Sequence, residues 1–139
     1  MTPDVSTWLT GRHSAVLVTL RGNGAPQTSN VVFAYDGTVA RVSVTADRAK
    51  TRNLRRDPRA VLHVLGDDFG TYASVSVDTA LGPVSTEPGD AAGVDLLALY
   101  QAVAGAEHPD PQDFFAAMVS EERLVVTLTP RSSVAWGLP

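Results

Sequence analysis

The chain has 139 residues, a formal charge of -4, 44% hydrophobic and 19% charged residues, and no cysteine. That is enough for one domain, spanning 1–139, with a core of its own, and the missing cysteines exclude disulfides, thiolate nucleophiles and iron–sulfur or cysteine–zinc sites. Net acidity argues against a nucleic-acid partner, no stretch reaches the ~18 apolar residues of a membrane span, and the opening "MTPDVSTWLTGRH" has no basic start followed by an apolar run, so the expectation is a cytoplasmic protein.

Pro3 near its start and Gly11 at its end predict a short first helix, packed through Trp8 and Leu9. "SAVLVTL" (14–20) reads as a buried strand, "RGNGAP" as a turn, and "PQTSNVVFAY" (26–35) as the returning strand. After the hairpin signal "DG" at 36–37, "TVARVSVTA" (38–46) alternates as a half-exposed strand. Asp47 is the expected N-cap of a helix over "RAKTRNLRRD", which Pro58 stops. "RAVLHVLG" (59–66) is a strand, and "TYASVSVDTALGPVS" (71–85) is one long strand or two, bent at the "GP" of 82–83. Leu96, Leu99, Tyr100 and Val103 recur at helical spacing, "PQDFFAAMVS" (111–120) gives another helix, "ERLVVTLTP" (122–130) a last buried strand, and "SVAWGLP" an apolar tail. Strands joined by tight turns predict a mainly β fold with a few helices, an antiparallel sheet closed into a barrel. A second copy of the chain is one candidate for covering the outer face of 71–85.

Charge is distributed unevenly along this sequence. Six of its eleven Lys and Arg residues lie between Arg48 and Arg59. A helix N-terminus carries partial positive charge and favours acidic residues, yet this one begins with Arg48 and Lys50. An anion resolves the conflict: unpaired N–H groups, the dipole, Arg48 and Lys50 all suit a phosphate. Ser43 and Thr45 add hydroxyls from the preceding strand, and Asn53, three residues beyond Lys50, shares its face. A run of charge is more often a solvated helix face; the inverted dipole pattern is what favours the anion. A nucleic-acid helix fits poorly, because no aromatic residue is interleaved to stack on bases.

"PQTSNVVF", "VSVTADRAKTRNLRRDPRA" and "RLVVTLTPRSSVAWGLP" together resemble the split-barrel flavin and deazaflavin reductase family related to pyridoxamine 5′-phosphate oxidase. The similarity is greatest to its actinobacterial branch that binds coenzyme F420. The resemblance implies a six-stranded split β-barrel that forms a homodimer, with a cofactor in each of two clefts between subunits. It implies that Ser43, Arg48, Lys50 and Asn53 hold the cofactor phosphate and that Gln27, Ser29 and Asn30 lie beside the deazaflavin ring. Charge extends this to Arg55 and Arg56, placed for the acidic oligoglutamate tail of F420. The implied activity is hydride transfer between reduced F420 and a small electron-poor molecule such as a conjugated enone; FMN is the alternative cofactor, and a non-catalytic F420 or FMN carrier the alternative role. Relatives can carry a Trp just after the acidic pair that here is Asp67 and Asp68, where this chain has Gly70 and Thr71 between Phe69 and Tyr72. That departure bears on substrate choice.

Other constellations carry less. His13, His63 and His108 are scattered, without metal-ligand spacing, so no metal site is expected. "GNG" at 22–24 is a hairpin turn because no helix follows it, and no G-x-S-x-G supports a hydrolase. No side chain stands out as a catalytic acid or base, as expected where a cofactor carries the chemistry. Tyr72 could donate a proton near the cofactor and Trp136 could cover the cleft, but packing at a dimer interface is the reading favoured for both.

Overall fold

Alternating burial closes the sheet. The computed structural model describes residues 1–139. β1 (Ser14–Leu20) buries Ala15, Leu17 and Thr19, and β3 (Ala40–Thr45) buries Ala40, Val42 and Val44 while turning Arg41, Ser43 and Thr45 outward. β4 (Arg59–Leu65) repeats the pattern with Ala60, Leu62 and Val64. These join β2 (Pro26–Tyr35), β5 (Tyr72–Leu81) and β6 (Arg123–Trp136) in a closed antiparallel barrel of order β1-β2-β3-β6-β5-β4, with β4 returning to β1. Closure removes the sheet edge that would otherwise invite pairing with other chains. Inside, Leu17, Phe33, Val42, Val64, Val126 and Leu128 are fully buried.

Two helices cap the barrel. α1 (Pro3–Thr10) sinks Val5 and Leu9 into the core, and its Ser6 hydroxyl meets the Tyr35 hydroxyl, 2.9 Å away at the far end of β2. α2 (Ala49–Arg56) lies at the opposite end of β2, with Leu54 in the same core. A helical hairpin packs outside: α3 (Ala91–Ala104) and α4 (Pro111–Ser120) enclose Leu96, Leu99 and Phe114 against Val125 of β6. Asp90 starts α3, accepting the Gly93 N–H at 2.8 Å, the Thr86 N–H at 2.9 Å and the Ser85 hydroxyl at 2.9 Å. No helix is long and apolar enough to cross a membrane.

Three sequence expectations are corrected. The N-cap of α2 is Arg48, not Asp47, and no side chain caps it. The 71–85 region is one strand ending at Leu81; beyond it, Gly82 and Ser85 donate backbone hydrogen bonds to the Val125 and Arg123 carbonyls, each at 2.9 Å. The apolar tail belongs to β6 as far as Trp136, which pairs with Tyr72. A bulge hid that continuity. Ser76 faces Ser132 and Val77 faces Pro130, so Arg131 is one residue too many for the ladder. Pro130 has no N–H to give, which suits it to such a break. Before the bulge Leu124, Val126 and Leu128 face inward; after it the half-buried residues are Ser133 and Ala135. Val134 and Trp136 therefore face out, 67% and 70% exposed.

Candidate functional site

The outward side chains of β3 and the start of β6 define a floor. Thr45 pairs with Arg123 and Ser43 with Val125. Val32 of β2 shares that face with Ser43 in a small apolar slot of about 220 Å³, walled by Leu96, Tyr100 and Met118 of the helical hairpin. Beside it lies a polar hollow of about 690 Å³, reaching from Thr45 to Arg48 and Arg52 on one side and to Glu121, Glu122 and Arg123 on the other. Glu121 and Arg123 line both spaces, so the slot and the hollow adjoin.

Charge in this region is poorly compensated. The chain makes five ion pairs: Arg12–Asp67, Arg41–Asp36, Arg59–Asp57, Arg123–Glu121 and Arg131–Asp78. Arg48, Lys50, Arg52, Arg55 and Arg56, all on or next to α2, take part in none of them. Asp47 and Glu122 also border the hollow, but neither reaches a cation. Burial, then the neighbouring positive charges of Arg48 and Arg123, push the Lys50 ammonium below its ordinary pKa. Three cations from α2 and β6 thus converge beside an uncapped helix N-terminus, where the dipole adds partial positive charge. The arrangement suits an anionic group. A hollow of about 500 Å³ under α3 offers no such excess, because its Arg41 is held by Asp36 at 2.9 Å.

The residues expected from sequence divide into two sets. Arg48 lines the hollow, Ser43 lines the slot beside it, and Lys50 lies near enough to Arg48 and Arg123 to feel their charge. Asn30, exposed two residues before Val32, lies on the same outward face of β2. Gln27, Ser29 and Asn53 are directed elsewhere. Gln27 and Ser29 share the inward parity of Phe33. Asn53 is 4% exposed, and its amide donates to the Thr19 hydroxyl and to Gln27 Oε1, both at 3.0 Å. Its Oδ1 accepts from Arg56 at 2.7 Å, and the Arg56 guanidinium lies over Gly22 of the β1–β2 turn. Asn53 therefore fastens α2 to the barrel, and Arg56 is committed to that network. Arg55 is exposed without a partner.

Arg123 and Glu121 were not found by sequence reasoning. The available signal was a charged residue at the first outward position of "RLVVTL", but its relevance depends on the pairing of β3 with β6, which spacing alone does not reveal.

The family profile described as pyridoxamine 5′-phosphate oxidase matches residues 1–136. This chain belongs to the pyridoxamine 5′-phosphate oxidase family. Solved structures show the same fold. An F420 reductase is 24% identical with a TM-score of 0.69, over 93% of this chain and 94% of that one. The heme storage protein of Vibrio cholerae is 14% identical with a TM-score of 0.71, over 98% and 94%. A pyridoxamine 5′-phosphate oxidase-related, FMN-binding protein of Nostoc punctiforme is 15% identical with a TM-score of 0.62, over 92% and 76%. Proteins named for different ligands thus share this fold, so this chain's function has to be argued from its own residues.

Proposed function

We propose that this chain is an oxidoreductase that binds coenzyme F420 and uses it on a small electron-poor organic substrate. The carrying observation is the group of five cations around α2 that make no ion pair, with Arg48 and Lys50 at its uncapped N-terminus and Arg52 and Arg55 further along. Arg48, Lys50 and Ser43 hold a phosphate in this reading, and Arg52 and Arg55 meet the oligoglutamate tail. The outward face of β2 and β3, with Asn30, Val32 and Ser43, lies beside the ring. When bound, reduced F420 supplies hydride to a carbon such as the β-carbon of a conjugated enone. The chain's own residues bind the anionic end, orient the ring and provide an apolar wall. Likeness to an F420 reductase supports the same reading.

FMN is the second reading, since a phosphate alone satisfies the hollow and an FMN-binding protein shares the fold. F420 is expected to bind more tightly, and its advantage to shrink as salt rises, because exposed charges are screened over ~8 Å at physiological ionic strength. Fluorescence quenching with each cofactor at low and high salt tests this; equal or tighter binding of FMN at low salt overturns the assignment. Turnover of a conjugated enone separates an enzyme from a carrier.

We further propose a homodimer. The exposed Val134 and Trp136 of β6, together with Leu65 of β4, form an apolar surface beside Tyr72 that a second copy would cover.

A further inference from the structure

Arg123 enters the site through an unusual turn. Glu121 caps the C-terminus of α4, Arg123 opens β6, and Glu122 between them has φ 52°. It is the single non-glycine residue with a positive φ, a conformation that costs a β-carbon-bearing residue of order 1 kcal/mol or more. The Glu122 carbonyl accepts the Ala46 N–H at 2.9 Å, tying this turn to the segment that starts α2. The reversal brings the side chains on either side of Glu122 together. Glu121 Oε1 accepts from Arg123 Nε and lies 3.1 Å from both Nε and NH2. Both residues face the hollow that also holds Arg48.

We propose that Arg123 is an anion-binding residue of this site and that Glu121 is its built-in counter-ion, displaced when an anion binds. This rests on the reading that the hollow takes an anionic cofactor, and it adds a specificity device to it. A carboxylate already on Arg123 must be outcompeted. A singly charged ion gains too little to displace it, whereas a phosphate ester or polyanion gains enough through charge-assisted hydrogen bonds to Arg123, Arg48 and Lys50 together. Glu121 thus sets a threshold of ligand charge. Asp47 and Glu122 repel anions in the same hollow without holding a cation, and so report the general field alone.

Calorimetric titration of the full chain with inorganic pyrophosphate, at low salt, tests this in a thermodynamic cycle. E121Q is expected to tighten binding by about two- to fivefold, the range of an exposed ion pair, and E122Q by less. R123Q is expected to weaken binding and to abolish the gain from E121Q. R123K, which keeps the charge but loses the guanidinium fork, serves if R123Q melts early; it is expected to weaken binding and to reduce the same gain. Equal gains from E121Q and E122Q, or an E121Q gain that survives in both Arg123 variants, overturns the proposal. Unchanged affinity in all variants overturns it while the anion site stands. If the wild-type chain binds neither pyrophosphate nor F420, the reading of the site fails and this inference fails with it.

Discussion

Lys50 is the residue at which the cost of the site is most legible. Desolvation and the nearby Arg48 and Arg123 lower its pKa, so its charged form is disfavoured in the folded, ligand-free chain. A folded pKa below the unfolded one means that the charge destabilises the fold at neutral pH and ceases to do so above about 10.5. Lys50→Ala should therefore melt at the same temperature as the wild type or slightly higher, measured without ligand at pH 7. It should also weaken F420 binding by roughly ten- to a hundredfold, the loss of one charge-assisted hydrogen bond. Arg59→Ala makes the same charge change beyond Pro58, where Arg59 is already held by Asp57 at 2.7 Å, and should leave affinity nearly unchanged. Asp90 shows the opposite sign. Backbone N–H donors, first Thr86 and then Gly93, hold its carboxyl at about 2 against an ordinary 3.8. Its stabilising contribution is present above pH 3.8 and is lost as pH falls through about 2. Melting curves of Asp90→Ala and the wild type should be well separated at pH 6 and converge near pH 2; a constant gap would mean that the charge is irrelevant to the cap.

At the scale of elements, α2 has two jobs on two faces. Its exposed side and N-terminus present cations, while Thr51, Asn53 and Leu54 face inward and are buried. Asn53→Ala should cost about 1–3 kcal/mol in urea unfolding, because Gln27, Thr19 and Arg56 lose a shared buried partner. If Asn53 instead touched the ligand, affinity would fall with stability unchanged, and the two measurements together decide. The hairpins, the first helix and the cationic segment were legible in the sequence because each is contiguous: Asp36–Gly37 marks its turn, and alternation marks β3. Asn53 was read as a ligand because its partners lie on β1 and β2, beyond the reach of helical spacing. Glu121 and Arg123 join the site only through pairing of distant strands. The last part of β6 read as a tail because its inward parity changes at Pro130 and Arg131.

For the whole molecule, self-association is the expectation with the widest consequences. Light scattering at micromolar concentration should give twice the mass of the 14.7 kDa chain, with an interface at or above ~2,000 Å². Val134→Asp combined with Trp136→Ser should yield a monomer, since both side chains project from the barrel; an unchanged mass would place the contact elsewhere. The outward aim of those two residues is not written in their chemistry. It follows from Arg131, the supernumerary position in β6. Drawing the strand straight with every residue kept would exchange the parity of everything after Pro130, sending Val134 and Trp136 toward the interior and Ser133 and Ala135 toward solvent, whereas deleting Arg131 would remove the bulge and leave both faces as they are. The apolar surface available to a second copy is thus held outward by an irregularity of the backbone rather than by the alternation of side chains, a determinant that tables of amino-acid replacements would never record.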